Sequence, residues 1–562
     1  MKLLENIGCQ KGITLNSQLV ELLMIIDDNE NSEIQDKMIE EYLSTLRKRQ
    51  DRYFEAKSKE DGSEVILILQ EVLSTIEGLS SEQRTTLMSL YQNSLGGMKI
   101  CDNEYMSELL ENNGFDRKIN TDIMKQLRNI DFTAKEGILK LTPEKVRNLY
   151  QHMFENGNTY NRVTFDGAGK FSSYVSIDGE TYADEKFLKM MEFCSKHGMS
   201  KKINTLMFYA DFPAKRYEAF LDAQIQAGEI PDSYKALENG GRQYKCDKIK
   251  QVLLNYVIDI SEKFEGKDGD AIDIFNEFVY DSRIREKAFD GDDIFNEEQD
   301  QMQEIIKPYH ERKKGWQEYI SLEDLCEIAL EARKRNPKVT FTYNDENWII
   351  PEKRAEMIEM VKKIQTIEQK FRDKELLGEN ERLIDTIGFQ AHLSTDVDLD
   401  EIDRIFDDIK RELELPVEIT ELDVASYAKE PQSESEVLKQ AMVLKKIMTI
   451  AKERPDELIS LTIWSQSDEC CFLNTKHGSE VYASLLDSYF QEKDIPENLK
   501  ERIQQIIASS GKFGLEDCMQ DDGVKVSSTQ KATRVVKEAA LDRDENSREE
   551  NDIGEWNGKW KI

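Results

Sequence analysis

From about residue 136 onward the chain alternates short apolar runs with amphipathic stretches, and this repetition limits its fold more than any other feature. The runs fall at 137–141, 160–165, 203–209, 271–275, 339–343, 384–389, 416–420 and 458–463. Each has the length of a strand. The stretches between them keep helical spacing: Ile402, Ile405, Phe406 and Ile409 lie between the sixth and seventh runs, and Val437, Leu438, Ala441 and Leu444 between the seventh and eighth. Strand and helix in alternation call for parallel strands with helices as crossovers. Eight such units in a row predict a closed barrel, because closure pairs every sheet edge. The expected class is therefore α/β, a (β/α)8 TIM barrel over 136–490.

The flanks read differently. In the first 130 residues Leu19, Leu22, Leu23 and Ile26 mark one face of a helix, and Gly62-Ser63 punctuates the approach to a second apolar stretch at 65–76. No cluster of His, Cys or paired acids in 1–130 asks for a chemical explanation. That segment is expected to be an all-helical module that holds a protein partner or acts as a scaffold. The polar tail at 491–562, with Trp556 and Trp560 near its end, is expected to be a largely disordered extension.

Charge and cysteine usage remove several classes of function. With 76 Lys+Arg against 111 Asp+Glu the net charge is -35, which repels phosphate backbones and anionic lipid surfaces. No nucleic acid or membrane partner is expected. The first residues, Met1 to Asn6, lack a sustained apolar core, and the longest apolar run, 65–69, is too short to span a bilayer. A cytoplasmic location is expected, with a nonclassical export route left open. The eight cysteines contain one adjacent pair, Cys470-Cys471, and no CxxC spacing, which gives neither a zinc motif nor a disulfide framework. No metal or other cofactor is expected.

A barrel of this kind places its site at the carboxyl ends of the strands, so the residues that follow each apolar run matter most. Asn276 and Glu277 follow the fourth run, and Asn344, Asp345 and Asn347 the fifth. Gln390 and His392 close the sixth. The seventh delivers Glu421 and Asp423, and the eighth Trp464, Ser467 and Asp468. Singly, each has an ordinary explanation: an Asn-Glu pair is usually a solvated loop, and a lone His usually a structural one. Their joint arrival at the same ends of successive strands supplies two carboxylates at one rim, the requirement of a glycosidase.

The segments Ile272-Asp273-Ile274-Phe275-Asn276-Glu277, Tyr343-Asn344-Asp345-Glu346-Asn347, Ile384-Asp385-Thr386-Ile387-Gly388-Phe389-Gln390-Ala391-His392-Leu393, Glu418-Ile419-Thr420-Glu421-Leu422-Asp423 and Thr462-Ile463-Trp464-Ser465 occur in that order. In them the chain resembles glycoside hydrolase family 10, the barrel xylanases, over about 350 residues. The resemblance implies endo-acting hydrolysis of β-1,4-linked xylan or xylo-oligosaccharides with retention of configuration. It makes Glu277 the general acid and then base, and Glu421 the nucleophile, across a gap of about 5 to 5.5 Å. His392, Gln390 and Asp423 would orient the nucleophile, Asn276 would bind the sugar 2-hydroxyl, and Trp464 would offer a stacking face. Asn161, Asn204 and Asn344 complete the implied substrate-binding and supporting set.

Two strands depart from the family pattern. Where those xylanases carry Glu-Asn and a nearby Lys after the second strand, this chain reads Tyr160-Asn161 and Thr164. The third-strand motif Gly-His-Thr-Leu-Val-Trp-His is replaced by Ile203-Asn204-Thr205-Leu206-Met207-Phe208-Tyr209, which loses both histidines and the tryptophan. Hydrolysis of a β-linked glycan is thus the firmer expectation and xylan the less firm one. The alternative is a non-catalytic carbohydrate-binding or scaffold protein on the same barrel. The stretch 286–316, acidic around 290–293, lengthens the loop after the fourth strand as a lid or as a tolerated insertion.

Overall fold

A computed structural model of the chain describes residues 9–59, 72–74, 79–95, 109–116, 119, 123, 136–155, 160–175, 181, 184–212, 214–281, 309–311, 316–428, 433–464, 466–468, 470–471 and 482–484. Eight parallel strands close on themselves: β1 (Gln10–Asn16), β2 (Arg162–Asp166), β3 (Ser200–Asn204), β4 (Ala271–Asn276), β5 (Thr340–Asp345), β6 (Thr386–Phe389), β7 (Val417–Ala425) and β8 (Leu458–Ile463). Each pairs with the next, and β8 returns to β1 through Gln10↔Ser460 and Ile13↔Ile463. Short pieces extend the rim, Met207–Phe208 beyond β3 and His392–Ser394 beyond β6.

Successive residues of a strand face opposite ways, and both faces are buried here. In β2, Val163 and Phe165 point at the surrounding helices, and the Phe165 ring meets Phe187 at 5.8 Å. Arg162 points inward and reaches Glu418 and Ser460 across the barrel at 3.0 Å each. The alternation of the sequence is therefore apolar outside and polar inside.

The helices carry their own start and stop signals. Leu399–Leu413 buries Ile402, Ile405, Phe406, Ile409 and Leu413 on one face, starts where the Asp398 carboxylate accepts from the Asp400 amide, and ends at Glu414 in the left-handed region. Leu322–Arg335 is capped by Ser321, with Glu323 and Asp324 in its first turn and Arg333, Lys334 and Arg335 in its last, complementing the helix dipole at both ends.

The first strand is not where the sequence pattern places it. Residues 136–139 form a helical turn, Glu136–Leu139, and the barrel is closed by Gln10–Asn16 instead. That strand carries only Ile13 and Leu15 as large apolar residues, because its inward positions are Gly12 and Thr14. Gly12 has a steric reason: a Cβ there would stand 2.4 Å from Thr462 Oγ1. The barrel accordingly begins at residue 10, ahead of the N-terminal helices, which are inserted between β1 and β2.

Those helices pack onto the barrel. α1 (Ser17–Asp27) is capped by Asn16, whose Oδ1 accepts from Leu19 N at 2.9 Å, and it buries Leu19, Val20, Leu22 and Leu23 completely. Each such side chain contributes roughly 1.5–3 kcal/mol on leaving water. These residues share one core with the barrel's helical layer. α2 (Ser32–Lys59) lies against α1, and its Arg47 donates to Leu139 O at 2.8 and 3.0 Å. Among the described residues no helix is long and apolar enough to cross a membrane. The tail at 491–562 and most of 286–316 and 65–76 lie outside the described residues; Tyr309–Glu311 pairs antiparallel with Val279–Asp281 just beyond β4.

Candidate active site

Asn344, near the carboxyl end of β5 and fully buried, is the hub of the site. Its backbone oxygen accepts from Glu277 N at 2.9 Å. Its Nδ2 donates to Glu421 Oε1 at 2.9 Å and to Asn276 Oδ1 at 2.8 Å, and its Oδ1 accepts from Thr420 Oγ1 at 2.6 Å. One residue thus holds both glutamates, which puts them at the same rim. Glu277 takes a second contact from Gln390 Nε2 at 3.0 Å.

Glu421 is 4 % exposed and is gripped from three strands. Besides Asn344, Asn204 of β3 donates to Oε1 at 3.2 Å, and His392 Nε2 stands 3.0 Å from Oε2. The other ring nitrogen, Nδ1, lies 2.8 Å from Asp423 Oδ2. A neutral imidazole donates through one nitrogen only, so an imidazole between two carboxylates needs a second proton on the ring or on one of the acids. Trp464 meets His392 edge to face at 6.1 Å between centroids and is held by its own amide on Leu422 O at 3.1 Å.

Two strand irregularities aim these residues. In β7 the register against β8 slips between Ile419 and Leu422, so three steps along β7 match two along β8. In a regular strand Thr420 and Glu421 would face opposite ways; across this bulge both reach Asn344. The same device occurs in β4, where Asp273 pairs with Thr342 and Phe275 with Tyr343. It turns both Asp273 and Asn276 inward. The rim backbone also adopts left-handed conformations at Glu277 (φ 55°), Asn347 (φ 59°) and Ala391 (φ 59°), which cost non-glycine residues on the order of 1–3 kcal/mol each and tend to mark functional sites.

Beneath Glu421 the barrel interior is charged. Glu418 accepts from Arg162 and Lys202, and Lys202 Nζ also stands 2.9 Å from Asp273 Oδ1. Asp273 Oδ2 accepts from Asn204 Nδ2 at 3.1 Å, the same nitrogen that bonds Glu421. Burial alone would raise the Glu418 carboxyl, but Lys202 and Arg162 outweigh it and hold the group down at about 2. For Asp273 burial wins over Lys202, with Glu418 and Glu421 adding to it, and the carboxyl is pushed up to about 6.

The structure brings together Asn204, Asn276, Glu277, Asn344, Gln390, His392, Glu421, Asp423 and Trp464. It does not bring Asn161. That residue precedes β2, is exposed, and exchanges hydrogen bonds with Lys11 at 2.9 Å at the amino-terminal rim, opposite the site. The carboxyl end of β2 is Asp166, followed by Lys170, whose ammonium lies 5.9 Å from the Phe208 ring. The asparagine of the family motif is thus matched at the amino end of β2 and not at its carboxyl end. Lys202, Asp273 and Glu418 are absent from the expected set; the signal for the two acids is a charge in the middle of an apolar run, Ile272-Asp273-Ile274 and Val417-Glu418-Ile419.

A model of glycosyl hydrolase family 10 matches residues 133–501. The chain belongs to glycosyl hydrolase family 10. The match begins after β1 and the N-terminal helices, so the first barrel strand lies outside it. Endo-1,4-beta-xylanase A of Thermotoga neapolitana is 23% identical over 311 residues, 54% of this chain and 24% of that protein. An endo-1,4-beta-xylanase of Geobacillus stearothermophilus is 30% identical over 173 residues, 29% of this chain and 48% of that protein. The chain thus spans about a quarter to a half of the length of these relatives. Among solved structures, native xylanase 10B from Thermotoga maritima aligns over 68% of this chain and 98% of its own, at 20% identity and a TM-score of 0.45.

Proposed function

We propose that this family member is a retaining glycosidase that cleaves β-1,4-linked xylan or xylo-oligosaccharides, with Glu421 as nucleophile and Glu277 as acid and then base. The observation that carries the reading is the shared grip of Asn344 on both glutamates at the carboxyl ends of β4 and β7. Glu277 gives its proton to the glycosidic oxygen as the bond to the anomeric carbon breaks, and Glu421 attacks that carbon from the opposite face. Water then enters. Glu277, now a carboxylate, takes its proton as the glycosyl ester to Glu421 is cleaved, and the configuration is retained through two inversions.

The surrounding residues serve this sequence. Asn204, Asn344 and His392 hold the Glu421 carboxylate with hydrogen bonds that fix which oxygen meets the sugar. Asn276 offers its Oδ1 to Asn344, so its Nδ2 is the end that meets the sugar 2-hydroxyl, a contact that strengthens as positive charge develops on the ring. Trp464 presents an apolar face beside His392. The relatives named endo-1,4-beta-xylanase support xylan as the substrate class.

The test is hydrolysis of an aryl β-xyloside and of xylo-oligosaccharides by the full chain and by Glu277→Gln and Glu421→Gln. Both substitutions should lower turnover on the order of 10³-fold. Oligosaccharide binding without turnover in the unaltered chain would instead identify a carbohydrate-binding protein.

A further inference from the structure

The interior of the barrel holds more charge than sugar chemistry at its mouth requires. Arg162 and Lys202 are 2 % and 0 % exposed, and Asp273 and Glu418 are 0 % and 1 %. Burying isolated ions is costly, and apolar residues of similar volume would commonly serve the fold as well. These four are not isolated from one another. Arg162 Nη1 donates to Glu418 Oε1 at 3.0 Å, Lys202 bridges Glu418 and Asp273, and Thr342 Oγ1 donates to Glu418 Oε2 at 3.3 Å. A neutral side chain then links the ion cluster to the rim, since the Asn204 amide nitrogen donates to Asp273 and to Glu421.

Resting on the reading of Glu421 as nucleophile, we propose that the ion chain Arg162–Glu418–Lys202–Asp273 sets the charge state of Glu421 from below, with Glu418 as a positioning residue three places back on the same strand. The arrangement is suited to this in two ways. Charges that water does not reach act on one another through a low dielectric, so each member's field is felt at the rim. Removing a charge of either sign also changes the net charge beneath the nucleophile by one unit, whichever form Asp273 takes.

Other charged groups stand at the rim around Glu421. His392 stands just beyond β6 and Asp423 on β7 itself, with Glu277 at the rim just after β4. At the inward positions nearest this level, β1 and β8 offer Thr14 and Thr462, which carry no charge. The contacts of Glu418 and Arg162 run to Lys202, Ser460, Thr342 and the Gly269 backbone.

The sign of the effect follows from the charge removed. Glu418→Gln takes away a negative charge and leaves Lys202 and Arg162 in excess, which favours the Glu421 carboxylate and moves its titration downward. Arg162→Gln takes away a positive charge and moves it upward. Glu418 lies three places before Glu421 on β7, a span of at most about 10 Å, and at an effective dielectric of about 20 a unit charge at that distance shifts a titration by about one pH unit. The double variant removes one charge of each sign and leaves the net charge as it was.

The experiment is a carbon-13 NMR titration of the full chain labelled at glutamate Cδ, with the Glu421 signal assigned from its loss in Glu421→Gln. The proposal expects a midpoint lower by about one unit in Glu418→Gln, higher in Arg162→Gln and within a few tenths of the unaltered chain in the double variant. Either single variant decides the matter if the other does not fold, because the sign alone is diagnostic. Midpoints that stay put, or move in the same direction in both singles, overturn it. Turnover is recorded separately on an aryl β-xyloside. If glycosidase activity is present, the acid limb of kcat/KM follows the NMR midpoint; absent turnover with shifted midpoints refutes the function and leaves the electrostatic inference standing.

Discussion

Asn344 does at one position what two residues could have done separately, since its backbone fixes Glu277 and its side chain fixes Glu421. Asn344→Ala should therefore lower kcat by about two to three orders of magnitude. Stability should fall by about 1–3 kcal/mol, the cost of leaving buried partners unmet. Steady-state kinetics and a denaturant melt on the same sample separate the two effects. The buried acids beneath it give a second expectation, in opposite directions. Glu418 titrates at about 2 in the fold against an ordinary 4.5, so its charge favours the fold above that ordinary value and the advantage fades as pH falls toward 2. Asp273 titrates at about 6 against an ordinary 3.8, so it favours the fold most below 3.8 and loses that contribution as pH rises through 6. Denaturant midpoints should show the unaltered chain losing stability relative to Asp273→Asn between pH 4 and pH 7. Relative to Glu418→Gln it should lose stability between pH 4.5 and pH 2. At this scale the sequence points to Glu277, Glu421, Gln390 and His392 because each follows an apolar run, and the structure gathers them at one rim. The sequence is silent on the role of Asn344 as a hub, since nothing in a linear pattern shows that one side chain touches two distant strands.

At the scale of the element, the strand ends matter more than their apolar middles. The bulges in β4 and β7 let consecutive or oddly spaced residues share the inner face, and periodicity alone does not reveal them because it assumes an unbroken alternation. The second strand shows the same difficulty from the other side. The run at 160–165 nearly coincides with β2, yet matching Asn161 to the asparagine of the family motif selects the amino-terminal rim, whereas the carboxyl end of the strand is Asp166. Gly388 of β6 offers a local test. A Cβ there would meet Asn344 Oδ1 at 2.5 Å and the Asn344 Cα at 3.0 Å, so Gly388→Ala pushes directly on the hub. It should reduce kcat about 10-fold or more while costing about 1–3 kcal/mol of stability. Gly12→Ala crowds Thr462 with no contact to either glutamate, and it should cost stability alone. Paired measurements of kcat and melting midpoint on the two variants distinguish these outcomes.

For the whole molecule the decisive strand is the least conspicuous. β1 closes the sheet from residues 10–16, yet a family match starts at 133 and the apolar pattern at about 136. A fragment beginning at 133 lacks that strand and exposes the open edges of β2 and β8. It should fail to fold as a monomer, seen as aggregation or as loss of the cooperative melt shown by the full chain. If that fragment folded and melted like the full chain, residues 10–16 would not be part of the barrel. The eightfold alternation was enough to predict the closed architecture, but one of its eight members was misplaced because Gly12 and Thr14 leave β1 with little apolar surface. A retaining pair at one rim leaves its signature in the first product released from a xylo-oligosaccharide, which proton NMR reads. The account predicts that the β-anomer appears first and mutarotates afterwards, and that the signal is absent with Glu277→Gln or Glu421→Gln; an initial α-anomer, or undiminished release by either variant, would contradict it.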